Sequence, residues 1–329
     1  MKLIGMAYKA LKGAMNIKQQ YLVQEEKNGG SQIRFYNWPD VPYAYDSLWF
    51  YRFVKNCHLL EGSDKTLAFC AVFGDRKVWK HISSDVKVFF IGENVHNPKW
   101  SVYADGMLNQ SDCNLSLGFD FFEDDRYQRF PLWLTYVFEP QMDKNQIEKS
   151  CQMLRYPRDI ERRHFASLIA RYDILGIRTE MFEAMSNFGR VDCPSGVLHN
   201  DDTLKEQFND NKLEYLRQYL FNICPENTNS YGYVTEKLFQ AISSGCIPIY
   251  WGSYNAPELK ILNQDAIVFW DREDGGTQAI RQVEDLMSNK QRLNEFMHQP
   301  RLLPTAEEEV EKMLVGLYDR LKVLIDYND

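Results

Sequence analysis

The densest group of residues able to do chemistry lies in one string, Tyr219-Leu-Phe-Asn-Ile-Cys-Pro-Glu-Asn-Thr-Asn-Ser-Tyr-Gly-Tyr-Val-Thr-Glu-Lys-Leu-Phe-Gln-Ala-Ile-Ser-Ser-Gly-Cys-Ile-Pro-Ile-Tyr-Trp-Gly252. Lys237 brings a full positive charge, and Glu236 a carboxylate able to accept hydrogen bonds from ribose or sugar hydroxyls. Tyr233 offers an aromatic face for a base, and Asn227 an amide that could serve either partner. This mixture suits a ligand with a diphosphate between a nucleoside and a sugar. Taken singly, each residue is ordinary helix-start chemistry; their conjunction in one string raises them above it.

The string predicts the elements that must hold these groups. Tyr219–Cys224 reads as a buried strand, Pro225–Val234 as a polar loop and Thr235 as an N-cap. Leu238, Phe239, Ala241 and Ile242 form an apolar helical stripe that Gly245 ends, and Cys246–Trp251 is the next strand. Loops at the carboxyl ends of parallel strands are where such sheets bind ligands. A helix N-terminus there, with free N–H groups and a positive dipole end, suits a diphosphate.

The same alternation runs along the chain. Ile33–Trp38, Thr66–Phe73, Val86–Ile91, Phe165–Ala170 and Ala266–Trp270 read as strands; Leu48–Cys57, Arg178–Phe188 and Thr277–Met287 carry helical spacing. Strands alternating with helices imply parallel sheets covered on both faces. The polar stretch Gln141–Arg163 predicts a boundary, giving domains over 1–155 and 156–304 and a terminal helix over 305–329 that packs back on the body. That helix opens with a capping box, Thr305 with Glu308.

Composition narrows the function classes. The formal charge of -8 argues against nucleic acid as the main partner. Seven scattered cysteines without a Cys-x-x-Cys pair read as reduced thiols, and six unclustered histidines disfavour zinc. No Asp-x-Asp occurs, so the expectation is that no metal and no cofactor is needed. No stretch has the apolar length of a membrane span, and lysines interrupt Met1–Met15. The expected location is cytoplasmic, with at most weak peripheral contact at the inner membrane face.

Tyr233-Val-Thr-Glu-Lys237, preceded by Glu226-Asn227 and followed by Ile247-Pro-Ile-Tyr-Trp-Gly252, resembles the donor signature of the α1,3/4-fucosyltransferases. Val86-Lys-Val-Phe-Phe-Ile-Gly-Glu-Asn94 resembles the family's strand ending in Gly-Glu-Asn, and Leu117-Gly-Phe-Asp120 and Asp125-Arg-Tyr-Gln-Arg-Phe-Pro-Leu132 the stretch after it. His164–Ala170, Gly176-Ile-Arg178 and Val191-Asp192 resemble the start of the donor domain, although Ala170-Arg171 stands where the family usually has Ser-Asn. The resemblance implies the α/β fold called GT-B, two facing Rossmann-like doubly wound domains. It implies a bacterial-type inverting glycosyltransferase that moves fucose from GDP-fucose to a glycan such as N-acetyllactosamine, making Lewis-type structures.

It also implies roles: Glu93 as general base, Arg178 and Lys237 on the diphosphate, Asn227 and Tyr233 at the nucleotide, Glu236 on ribose or fucose. Without the resemblance, Arg178 reads as an exposed helix-start arginine. Inversion fits a carboxylate such as Glu93 just past an apolar strand, taking the acceptor hydroxyl's proton. Asn37 and Trp38, following a strand, are the expected acceptor contacts. Competing readings are the same fold with another nucleotide sugar, or a non-catalytic protein that binds sugar nucleotides or glycans.

Overall fold

A computed structural model of the chain describes residues 16–39, 45–103, 113–156 and 161–326. The basic N-terminal segment that suggested membrane contact lies outside the described residues. The chain divides into two compact units: Met1–Phe130 with Glu139–Met142 and Met313–Asp329, and Pro131–Phe138 with Asp143–Lys312.

The first unit holds a parallel sheet of β1 (Ile33–Tyr36), β2 (Leu67–Cys70), β3 (Val86–Phe90), β4 (Leu115–Gly118) and β5 (Tyr127–Arg129), in that spatial order. β2 and β4 are buried along their whole length, as strands covered on both faces must be. Aromatic packing fills one side: Trp49 stacks on Phe53 at 5.1 Å and Phe50 on Phe69 at 5.0 Å. The terminal helix Ala306–Asp326 contributes its later turns here, and Arg320 donates to the Gln128 side chain at 3.2 Å.

The second unit holds β6 (His164–Leu168), β7 (Val191–Asp192), β8 (Tyr219–Ile223), β9 (Ile247–Tyr250) and β10 (Val268–Phe269), all parallel. Their order is β10-β9-β8-β6-β7. The chain thus leaves β6 toward one edge and returns to build toward the other, so β6 and β8 flank a topological switch point, where open sheets of this kind bind ligands. Among the described residues the strands of the first sheet lie side by side in chain order.

Local chemistry explains the elements around the switch. The helix Glu236–Ser244 buries Leu238, Phe239, Ala241 and Ile242, the predicted stripe. Gly245, at φ 76°, ends it: its N–H donates to Ile242 at 2.9 Å and the Cys246 N–H to Ala241 at 3.0 Å, a Schellman closure. The Thr305 hydroxyl at the start of the terminal helix donates to the Lys260 carbonyl at 2.6 Å. Within the polar stretch Gln141–Arg163, Lys144–Arg155 is a helix that buries Ile147, Cys151 and Leu154 and begins at an Asp143 cap.

Candidate active site

The loop after β6 carries the first part of the site. Gly176, at φ 75°, turns the chain into the helix Ile177–Met185. Asp173 caps that helix: one oxygen accepts from the Arg178 N–H at 3.1 Å, the other from the Thr179 N–H at 2.9 Å and hydroxyl at 2.8 Å. Partial burial pushes its carboxyl up, but the hydrogen bonds outweigh burial and hold it below the ordinary aspartate range.

Arg178 is not the exposed arginine that local pattern suggests; it is 7% exposed. Its guanidinium donates to the Tyr172 carbonyl and, at 2.8 Å, to the Asn227 amide oxygen. Nε, also buried, has no hydrogen-bond partner among the described residues. Burial pulls the guanidinium below its usual value while Asp173 and Glu226 pull it up.

The loop after β8 supplies the second part, and its centre is a residue to which local pattern assigns no role. Glu226 is 0% exposed. Its carboxylate accepts from the Thr235 N–H at 2.7 Å, the Thr235 hydroxyl at 2.6 Å and Lys237 Nζ at 3.3 Å. Burial raises its pKa, with Lys237 opposing. Lys237 also donates to the Thr235 hydroxyl at 2.8 Å and lies 3.6 Å from Glu236. Burial would pull the ammonium down, but Glu226 and Glu236 outweigh it and hold it above its ordinary value, so Lys237 stays charged. Thr235 occupies the N-cap position without making a side-chain cap, because its hydroxyl is committed to Glu226.

The loop after β9 closes the cluster. A Cβ on Gly252 would sit 2.6 Å from Glu226 Cγ and 2.7 Å from the Tyr250 hydroxyl, so only glycine fits against the buried carboxylate. Ser253, Tyr254 and Asn255 follow with φ between 50° and 54°, a left-handed turn that costs free energy and is tied down by its neighbours. The Ser253 hydroxyl accepts from the Gly232 N–H at 3.1 Å, and the Tyr254 N–H donates to the Asn229 side chain at 2.6 Å.

Arg178, Asn227, Glu236 and Lys237 thus gather around Glu226 at the switch point. Tyr233 is among them but only 1% exposed, so its ring offers no free face to a base. The exposed aromatics on these three loops, among the described residues, are Tyr172, Tyr231 and Tyr254. Two cations beside a helix N-terminus, one with an unpartnered N–H, make a site for an anion with several oxygens.

The remaining predicted residues lie in the first unit. Glu93 follows β3, half-buried, in a turn where the Asn94 side chain accepts from the His96 N–H at 3.0 Å. Its carboxylate makes no hydrogen bond or ion pair among the described residues. Asn37 is buried at φ 51°; its side chain donates to the Asp75 carbonyl at 3.0 Å and accepts from Gln24 at 3.3 Å. Trp38 packs among Phe35, Phe50 and Phe90 at 5.1 to 5.8 Å. The Asn37 side chain is thus consumed by the fold, whereas Trp38 is half-buried.

Comparison with known proteins places these two sites in context. The profile of Glycosyltransferase family 10 (fucosyltransferase) C-term matches residues 161–312, and that of the Alpha-(1,3)-fucosyltransferase FucT N-terminal domain matches residues 33–136. The chain is 32% identical over 193 residues to Alpha-(1,3)-fucosyltransferase FucT of Helicobacter pylori, covering 51% of this chain and 37% of that protein. It is 30% identical over 95 residues to Alpha-(1,3)-fucosyltransferase B of Drosophila melanogaster, covering 29% and 21%. The matches thus span less than two fifths of these relatives' lengths. The fold is similar to a crystal structure of α1,3-fucosyltransferase with GDP-fucose, at a TM-score of 0.56 and 24% identity over 88% of this chain and 89% of that one. A structure of α1,3-fucosyltransferase with GDP gives 0.53 and 21% over 87% and 89%. With both profiles matching in chain order on a GT-B fold, the chain belongs to the fucosyltransferases of glycosyltransferase family 10, the α1,3/4 group that its donor string resembles.

Proposed function

We propose that the chain transfers L-fucose from GDP-fucose to a hydroxyl of an N-acetylglucosamine or glucose unit, with inversion and in α1,3 linkage, on a Lewis-type or related glycan. The observation that carries this is the pairing of Arg178 and Lys237 around buried Glu226 at the switch point, with Arg178 Nε unpartnered.

In this mechanism the acceptor oxygen bonds to the fucose anomeric carbon as the bond from that carbon to the diphosphate oxygen breaks. The electron pair leaves with GDP, and the acceptor's proton passes to the Glu93 carboxylate. Charge building on the leaving phosphate meets Arg178, Lys237 and the N–H groups of the Glu236–Ser244 helix. These fixed cations supply the neutralisation that a divalent ion supplies in other transferases, so transfer is expected to need no metal.

The test is transfer from GDP-fucose to N-acetyllactosamine in chelator, with the product linkage read by NMR. New α1,3-linked fucose, inhibited by GDP and not by UDP, is the expected result; absence of both transfer and GDP binding would sink the proposal. Glu93→Gln should cut turnover at least 100-fold (a general base contributes roughly 10²–10⁴) with GDP affinity kept.

A further inference from the structure

The loops at the carboxyl ends of β3 and β4 bring together two residues for which the mechanism has no use. His96 Nε2 lies 2.8 Å from Asp120 Oδ1. Asp120 is the last residue of Leu117-Gly-Phe-Asp120, a string noted in the sequence but without a role so far.

The pair is built rather than incidental. The Asp120 side chain is 13% exposed, against 49% for His96. The Asp120 backbone is pinned by the Tyr127 hydroxyl, which donates to its carbonyl at 3.0 Å, and Arg129 Nε holds the preceding Phe119 carbonyl at 3.1 Å. The imidazole stands edge-on to the Phe119 ring at 5.8 Å. Asn94 fixes the turn that carries both Glu93 and His96. As a stability device the pair does little, since a single hydrogen bond contributes about 1 kcal/mol net.

Its chemistry is directional. An ionised carboxylate only accepts hydrogen bonds, so a neutral His96 must place its proton on Nε2, facing Asp120. The lone pair is then on Nδ1, which has no hydrogen-bond partner among the described residues. A fixed acceptor atom three residues from Glu93 suits a neutral O–H donor. Exposed Phe121, with the Arg129 guanidinium 4.2 Å over its ring, adds the kind of aromatic surface on which pyranoses lie.

We propose that His96 is an acceptor-binding residue whose Nδ1 takes a hydrogen bond from a hydroxyl of the acceptor sugar, and that Asp120 is the positioning residue that sets its tautomer. This rests on the fucosyltransferase reading above and names a determinant on the acceptor side.

The experiment uses the full chain with His96→Ala, His96→Gln and Asp120→Asn. His96→Ala should raise the acceptor KM about tenfold, the effect of one hydrogen bond lost from a polar site, with the GDP-fucose KM within about twofold of wild type. His96→Gln, whose amide oxygen can accept, should recover part of that loss. Asp120→Asn can donate to Nε2 and should raise the acceptor KM by moving the proton to Nδ1. ¹⁵N NMR of the imidazole reads the tautomer directly and needs no turnover. A wild-type His96 protonated on Nδ1, or an acceptor KM unmoved in His96→Ala, overturns the proposal while leaving the fucosyltransferase reading intact. A wild-type chain with no transfer to any acceptor would overturn both.

Discussion

Removing the carboxylate at position 226 is the sharpest test of how the donor cluster is held. In Glu226→Ala, the N–H and hydroxyl of Thr235, itself buried, lose their partner at 2.7 and 2.6 Å. A buried donor left unsatisfied costs about 1–3 kcal/mol. Lys237 is not stranded, because it keeps the Thr235 hydroxyl at 2.8 Å and Glu236 at 3.6 Å. The two donors together cost about 2–6 kcal/mol, which at about 2–4 °C per kcal/mol for a unit of this size lowers Tm by roughly 10 °C. Glu226→Gln keeps an acceptor for the Thr235 N–H but turns an NH2 toward Lys237, so about half that loss is expected. Thermal melting followed by circular dichroism gives the stabilities, and calorimetric titration with GDP gives affinity. Because Glu226 has no exposed surface with which to meet a ligand, GDP affinity in Glu226→Gln should change less than tenfold. An unaltered Tm in Glu226→Ala, or a hundredfold loss of GDP affinity in a stable Glu226→Gln, would refute this account.

Further outcomes follow from neighbouring groups. Arg178→Lys loses the planar fork that reaches Asn227, and Nε with it; GDP affinity should fall about tenfold to hundredfold in the same titration. Asp173 is held below the ordinary aspartate range, so its contribution is present above that range and is lost as pH falls through the depressed folded value; Asp173→Asn should cost about 1 kcal/mol near neutrality and flatten the acid limb of melting temperature against pH. Lys237 is raised, so its contribution is present below the ordinary lysine value and is lost as pH rises through the folded one; Glu226→Gln should move this alkaline loss to lower pH.

The donor segment was legible because its signals are local: an apolar run, a polar loop, a four-residue stripe and a terminating glycine. The strands β4, β5 and β7 were not, because Leu115-Ser-Leu-Gly118, Tyr127-Gln-Arg129 and Val191-Asp192 mix polar residues into very short runs, whereas the equally short β10 sits inside a continuous apolar run. The helix Lys144–Arg155 was hidden by its charges, although Ile147, Cys151 and Leu154 carry helical spacing. Glu226 escaped because a glutamate in a Pro-Glu-Asn loop ordinarily faces water; only the approach of Gly252 and Thr235 buries it. Tyr233 and Asn37 err the other way. Their types suit a ligand, but tertiary packing consumes the ring of one and the amide of the other.

One feature of the second unit bears on how such chains can be recombined. Pro131–Phe138, far upstream in sequence, belongs to that unit, where Trp133 stacks on Phe239 of the donor helix at 4.2 Å and its indole N–H donates to buried Glu258 at 2.8 Å. A chimera that exchanges donor halves between relatives at a junction after residue 142 would seat Phe239 and Glu258 against another protein's version of the Trp133 segment. Where that segment carries no tryptophan, the ring stack and the indole hydrogen bond to Glu258 are both lost. During synthesis the same segment leaves the ribosome long before the helix it packs on, so it waits for a partner that arrives about a hundred residues later. Swaps that carry the Trp133 segment along with the donor half respect the unit as it folds.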